Sequence, residues 1–272
     1  MNKYILDYVK NNTKTVFRDL SVPQKKVMKH LVERLFQSGD GILRRLGEGY
    51  EQLPKTIGEK VSRHLGKVDL LASVETFADR QLLKLLTEGS VIAYDLTDIN
   101  KSFAKKIENL DKCFDGSRRE RSKGFFAHGV GCGKFLWRLR VHDNTRKFLN
   151  QVRKEILHHL IGITAGLKVI FALDRGNDDK KLFEDLDDKK VRFIIRLKKN
   201  RVVILKETGE IKKVEELPEG RYDVLIAESN TEQRKKPKYR DYELVIYKKK
   251  KSKKHPIVFL ISKYLDPAKK FS

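Results

Sequence analysis

Two short stretches place carboxylates where carboxylates are unusual. GSVIAYDLTDI, residues 89–99, runs through a mostly apolar segment straight into Asp95, with Asp98 three residues on, and LKVIFALDRGNDD, residues 167–179, repeats the pattern and turns acidic at Asp174. Two carboxylates brought together repel each other unless a cation stands between them. Hard oxygen ligands select magnesium or manganese. Such ions can activate a water or a 3′-hydroxyl and stabilise the leaving oxygen in phosphodiester chemistry. The competing account is that each aspartate only closes a strand, because Asp is common in turns. It is the duplicated context, apolar strand then Asp, that favours chemistry.

The segments between the two aspartates determine whether they meet. SVIAYD is a continuous apolar run of strand length, the kind expected when both faces of a sheet are covered, and it ends at Asp95. GFFAHGVGCGKFLWRLRVHD then alternates, with Phe135, Trp137, Leu139 and Val141 on one face and Gly129, Gly131 and Gly133 marking a tight hairpin. GVGCGK is no phosphate-binding loop, since His128 and Phe135 stand where that motif needs Gly and Ser or Thr. A helix follows, with Phe148, Val152, Ile156, Leu160 and Ile163 at steps of three or four and Asp143, Asn144 and Thr145 as caps. His158 and His159 lie on it without a carboxylate or metal-spaced histidine nearby in sequence, and carry no role. A helix between strands is a crossover connection, so the strand before Asp174 is expected beside and parallel to the strand before Asp95. Both aspartates then emerge at one carboxyl edge, where α/β proteins place their sites.

The rest of the chain frames this core. Residues 1–88 read as helices: QKKVMKHLVERLFQS with Val27, Leu31 and Leu35 in step and Pro23 near its first turn, then TIGEKVSRHLGKVDLL, then VETFADRQLLKLLTEG with Gly89 as its C-cap. After Asp174, DDKKLFEDLDD is a short helix and VRFIIRLKKNR a third buried strand. Short strands (RVVIL, YDVLIA, YELVIY, PIVFLIS) fill residues 201–263. The organisation expected is a helical region over 1–88, an α/β core over 89–200 and a β-strand insertion over 201–272.

Composition narrows the partners. Of 272 residues, 60 are Lys or Arg and 37 Asp or Glu, a net charge of +23 that draws polyanions, nucleic acid first. Cys113 and Cys132 have neither disulfide nor zinc spacing. No apolar run is long enough to cross a bilayer, and MNKYILDYVK lacks the features of a signal peptide, so the expectation is a cytoplasmic protein without a membrane partner, nucleoid-associated when bound to DNA.

Taken together, VIAYDLTDINK, LDKCFDGSRRERSKGFFAHGV, ALDRGNDDKKLFEDL and FIIRLKKNR resemble the DDE transposases of bacterial insertion sequences, in the group whose ribonuclease H-like domain carries a β-rich insertion. The resemblance covers most of residues 90–200, with weaker similarity in the helical N-terminus. It implies an α/β fold with a ribonuclease H-like mixed sheet and flanking helices. It implies that Asp95 and Asp174 are catalytic and bind Mg2+ or Mn2+, and that the N-terminal helices recognise the element's terminal inverted repeats. Members of the family cut double-stranded DNA at those ends and join the 3′-hydroxyls to target DNA, generally as a paired assembly, here a homodimer on DNA. Arg175, Arg196 and Arg201 are candidate phosphate contacts, or else solvated basic residues at strand ends. Lys101 falls in the same family stretch and joins the DNA-binding candidates. Asp98 either supports the metal site through a hydrogen bond or caps the turn after the strand.

One departure stands out. The family's third carboxylate is a glutamate on a helix after the insertion, in a pattern of tyrosine, two residues, arginine, three residues, glutamate, six residues, lysine. Here Tyr264 is followed by Pro267 in place of the arginine, and Glu228, Glu232 and Glu243 do not match the pattern. The expectation is a chain truncated before its last catalytic helix, with little strand transfer. Two further readings remain open: a non-catalytic DNA-binding remnant, and a ribonuclease H-like metal-dependent nuclease.

Overall fold

The computed structural model describes residues 11–38, 54–67, 71–101, 110–115, 120–143, 147–229, 238–247 and 257–265. The chain divides into two compact units, Met1–Lys84 and Leu85–Ser272.

The first unit is helical: α1 (Val22–Ser38), α2 (Pro54–Leu65) and α3 (Leu71–Leu83). At the start of α1 the Gln24 side chain reaches back to accept from the Ser21 amide (3.0 Å) and hydroxyl (2.8 Å), which satisfies a donor that a helix start leaves open. Phe17, Val27 and Met28 bury against Ile57 and Val61 of α2. The spacing of Val27, Leu31 and Leu35 gave the right helix, but Met28 is its most buried residue and Leu35 is exposed. The helix expected over TIGEKVSRHLGKVDLL stops at Leu65, followed by Gly66 and Lys67 in a turn, and α3 begins afresh at Leu71. Gly89 caps no helix, because α3 ends at Leu83. It takes φ 81° in the turn leading into the sheet, and its amide donates to the Lys168 carbonyl (3.3 Å).

The second unit is built on one mixed sheet. Its strands are β1 (Val91–Asn100), β2 (Asp111–Asp115), β3 (Glu120–Cys132), β4 (Phe135–Val141), β5 (Ile170–Leu173), β6 (Phe193–Arg196), β7 (Val202–Leu205), β8 (Ile211–Lys213), β9 (Gly220–Ala227), β10 (Tyr239–Tyr247) and β11 (Ile257–Ser262). Helix α4 (Leu149–Ile163) links β4 to β5, and α5 (Lys180–Asp188) links β5 to β6. The order is β2-β3-β1-β5-β6-β11-β10-β9-β7-β8, with β4 paired to β3. Antiparallel β4-β3-β1 beside parallel β1-β5-β6 is the ribonuclease H-like arrangement. The strands after residue 200 extend that sheet, because β11 returns antiparallel to β6 with Arg196 opposite Phe259.

One face carries the main core. Ile92 and Tyr94 of β1, Phe171 and Leu173 of β5, Phe193 and Ile195 of β6, Leu260 of β11 and Tyr242 and Leu244 of β10 are all buried. Val152, Ile156, Leu157 and Leu160 of α4 and Leu182, Phe183 and Leu186 of α5 are buried as well. The Phe183 ring meets Tyr242 edge-on with centroids 6.3 Å apart. Both crossovers step the same way along the sheet, so right-handed connections put both helices on one face. The opposite face holds a smaller cluster of Ile170, Ile261 and Leu265, joined by Ile194, Val245 and Phe259. This corrects the expectation that β1 is covered on both sides: Val91 is 46% exposed and Ala93 is exposed, while Ile92 and Tyr94 between and beyond them are buried.

Two local expectations change. Gly129 and Gly131 lie inside β3, and only Gly133, at φ 57°, occupies the two-residue turn into β4. Helix α4 starts after Phe148, whose amide donates to Gln151 Oε1 (3.1 Å); Asp143 is too far upstream to cap it, and Asn144 and Thr145 lie outside the described residues. The short strand β2 pairs antiparallel with the start of β3, within LDKCFDGSRRERSKGFFAHGV, the stretch in which the family resemblance has its hairpin.

Gly124 is the glycine that packing demands, since a Cβ there would collide with the Ile99 carbonyl across the β1–β3 pair. Gly124→Ala is expected to destabilise the protein by about 1–3 kcal/mol, the usual cost of overpacking. Urea denaturation should show the lower midpoint, and an unchanged midpoint would mean that β1 and β3 separate freely at this end.

Candidate metal centre in the central sheet

The parallel register between β1 and β5 runs Val91 to Ile170, Ile92 to Phe171, Ala93 to Ala172 and Tyr94 to Leu173. The next step places Asp95 beside Asp174. The two arrive differently. Strand β5 stops at Leu173, and Asp174, still extended at φ −78° and ψ 179°, caps the single 3-10 turn Arg175–Asn177. Its Oδ1 accepts from the Gly176 amide (2.9 Å) and from Nδ2 of buried Asn177 (2.8 Å). A Cβ at position 176 would crowd that oxygen at 3.1 Å, so glycine suits the close approach. Strand β1, in contrast, does not end at Asp95 as its sequence suggests. It continues to Asn100 because β3 is long enough to pair all of it, and Asp95 stands in mid-strand opposite Gly129.

Both carboxylates are exposed on the less covered face. The Asp95 carboxyl is pushed above the ordinary carboxylate range, first by burial of its surroundings and then by the neighbouring Asp174 charge. A carboxylate whose proton affinity is raised by a neighbouring carboxylate is a place where a divalent cation is favoured, and the oxygen-only donor set suits Mg2+ or Mn2+. The residues present therefore fit such an ion. Among the described residues, no group of three or more His, Cys, Asp or Glu forms a fuller ligand set.

Residues 139–272 match the family model described as the transposase DDE domain. The matched segment is a little under half of the chain. Asp174 falls inside the matched segment and Asp95 before it. No curated protein matches the chain. Among solved structures, a piggyBac transposase synaptic complex with hairpin DNA is similar at a TM-score of 0.45 and 12% identity, covering 96% of this chain and 52% of that one. A Drosophila P element transposase strand transfer complex is similar at a TM-score of 0.30 and 14% identity, covering 75% of this chain and 47% of that one. The chain thus spans about half the length of each, and likenesses this slight bear no weight beyond resemblance.

The basic candidates divide. Leu173 pairs with Ile195, so the register places Arg196 one strand beyond Asp174 in the row that begins at Asp95. Arg196 is exposed, as is Arg175, which opens the 3-10 turn after β5. Arg201 is mostly buried, with its guanidinium held by Asp178 through Nε (2.9 Å) and Nη2. Lys101 lies beyond the far end of β1, six residues from Asp95, or about 20 Å along a strand. Its amide donates to the Lys123 carbonyl (2.7 Å). Asp98 alternates to the opposite face from Asp95 and accepts from Asn100 Nδ2 (2.7 Å), so it neither reaches the Asp95–Asp174 pair nor caps a turn.

The glutamates are engaged elsewhere. Glu228 accepts from Arg240 Nε (3.0 Å), Glu243 pairs with Arg221 (3.6 Å), and Glu232 lies outside the described residues. The histidines given no partner have them: His158 contacts Asp185 at 2.5 Å and His159 contacts Arg138 at 2.9 Å. Asp185 comes from α5, a neighbour that spacing within α4 does not reveal.

Sequence reasoning missed the layer under the site. The Tyr94 hydroxyl and His128 Nδ1, both buried, share a hydrogen bond of 2.6 Å beneath the strand that carries Asp95. His128 is pushed down to about 4, by burial first and then by His142, Arg140 and Arg153, so it stands neutral at neutral pH. Only its i, i+2 register with the alternating β3 residues could have suggested burial.

The folded chain holds the Asp95 proton more tightly than an unfolded chain does. The stability tied to this group is therefore fully present below the ordinary carboxylate range and is lost as pH rises through the raised value. Asp174→Asn, which keeps a capping side chain, is expected to lower the Asp95 titration toward its ordinary range and to raise the denaturation midpoint at neutral pH. Carbon-detected NMR of the Asp95 carboxyl checks the first and urea melts the second; an unmoved Asp95 titration would separate the two carboxylates electrostatically.

Proposed function

We propose that this chain acts on double-stranded DNA as a transposase, with Asp95 and Asp174 holding Mg2+ or Mn2+ for cleavage and strand transfer at the ends of a mobile element. The observation that carries the reading is the side-by-side register of two exposed carboxylates, one of them inside the segment that matches the transposase DDE domain. A bound ion of this kind activates the attacking water or hydroxyl and offsets charge on the leaving oxygen. The chain's own groups do the positioning. Asp174 is oriented by the Gly176 amide and Asn177, and Asp95 is fixed in an unbroken strand. Arg196 and Arg175 supply exposed positive charge beside the pair and are suited to phosphate oxygens.

Charge elsewhere supports DNA as the partner. The net +23 favours a polyanion throughout. In the helical unit, a groove between α1 and α2 is lined by Lys26, Lys29, His30, Lys60 and His64 alongside Glu33 and the apolar Pro23, Val27, Ile57 and Val61. This basic lining supports a role for the helices in gripping the terminal inverted repeats, with target DNA joined at the sheet and two copies acting together on one pair of ends. One observation favours a second reading, DNA binding without strand transfer: only two carboxylates converge among the described residues.

Purified protein incubated with labelled duplex DNA and Mn2+ is expected to nick it, and both Asp95→Ala and Asp174→Ala should abolish nicking. Cleavage that survives either change removes the site assignment. Binding without any nicking selects the second reading. In either case affinity should fall steeply with added salt, and salt-independent binding would remove the phosphate contacts from both.

A further inference from the structure

Asp178 is the buried carboxylate that the chemistry described above leaves unused. Its side chain is fully buried, in a segment otherwise open to solvent at Arg175 and Gly176. It accepts from the Lys198 amide (2.7 Å), from Arg201 Nε (2.9 Å) and from Arg201 Nη2, while Arg201 Nη2 also donates to the Asp178 carbonyl (3.2 Å). The Arg201 guanidinium lies over the Phe183 ring, 5.7 Å from its centroid. Every charge in the pair is therefore met on more than one side, as a buried ion pair requires if it is to persist.

The position of the pair gives it a meaning beyond stability. Asp178 closes the 3-10 turn whose Gly176 and Asn177 grip Asp174 Oδ1. Its partners, Lys198 and Arg201, belong to the turn that leaves β6 just after Arg196. One carboxylate thus ties the exit of β5 to the exit of β6, and so ties Asp174 to Arg196. The next residue repeats the device on the other side. Asp179 accepts from Arg153 of α4 (2.6 Å) while capping α5 through the Lys181 amide (3.0 Å). The segment from Asp174 to Asp179 is braced from two elements by consecutive aspartates.

We propose that Asp178 and Arg201 are a positioning pair for the metal centre: through the 3-10 turn they set the orientation of the Asp174 carboxylate and its spacing from Arg196. This rests on the metal-centre reading of Asp95 and Asp174. Neither member of the pair touches the ion. A carboxylate ligand must be held to within about half an ångström to bind well, and loss of the groups that orient ligands typically costs about 10–100-fold in metal affinity. Arg201, a DNA-contact candidate by sequence, is assigned here to the interior.

Mn2+ titration of the full chain, followed by electron paramagnetic resonance well below the melting temperature, tests the pair. D178N is expected to weaken Mn2+ binding by about tenfold or more while the near-ultraviolet dichroism and a cooperative thermal transition persist. R201K keeps the charge and loses the planar fork, so a smaller loss in the same direction is expected. It carries the test if D178N does not fold. K206A, which breaks the exposed Lys206–Asp241 pair in the insertion strands, should leave Mn2+ affinity unchanged. A folded D178N or R201K that binds Mn2+ within about twofold of wild type reduces the pair to a structural role and overturns the proposal. Wild-type Mn2+ binding that is indifferent to D95A and D174A overturns the metal-centre reading itself, and the positioning role with it.

Discussion

Asp95 and Asp174 stand on adjacent parallel strands at one register step, and the repulsion between them is the constraint around which this part of the chain is organised. The Asp174 charge raises the proton affinity of Asp95, and a fold tolerates like charges one strand apart only where its geometry is fixed by something stronger. The fixing here is the main core beneath. Tyr94 and Leu173, the residues just before the two aspartates, are both buried on the opposite face. A slip of one residue in either strand would bury a carboxylate and expose an aromatic or leucine side chain, so the packing that stabilises the sheet also holds the acidic pair in register.

The two carboxylates are held by different means, and the difference follows from their strands. Asp95 belongs to a strand paired on both sides at its start and on one side afterwards, since β5 ends while β3 runs on. Its backbone needs no further support. Asp174 sits where pairing stops, and a strand end is free to fray. There the chain turns at once into a 3-10 segment, spends the Asp174 Oδ1 lone pairs on that turn, and anchors it with the buried Asp178. Exposed ion pairs contribute little to stability, whereas this one is buried and multiply bonded, so the brace sits at the place where the sheet itself supplies no restraint.

What the sequence disclosed and what it hid divide along the same line. The parallel placement of β1 and β5 was legible, because apolar runs ending in Asp on either side of an amphipathic helix leave one economical connection. The continuation of β1 past Asp95 was not, because it depends on the length of β3, a property of the partner. Gly129 and Gly131 look like turn residues in sequence, yet they lie in a strand whose neighbour sets their conformation. Arg201 and Asp178 are 23 positions apart, and nothing local marks an arginine in a basic run as the one that turns inward. His158 seemed unaccompanied because Asp185 comes from the next helix. In each case periodicity reports an element's own face and says nothing of the side chain that meets it.

The strands after residue 200 read as an insertion in sequence, but the sheet gives them a part in the site. Strand β6 would be the edge of the parallel set if the chain ended with it, and an edge strand with an arginine at its tip would hold that arginine loosely. Strand β11 removes the edge. It pairs with β6 through Phe259 opposite Arg196, and the Leu197 amide donates to the Val258 carbonyl (2.9 Å) just beyond. Arg196 therefore ends an interior strand, paired with β11 on one side and following residues that pair with β5 on the other. The distance between the acidic pair and the nearest exposed arginine in its row is set by backbone pairing across β1, β5 and β6, and β11 holds β6 from its far side.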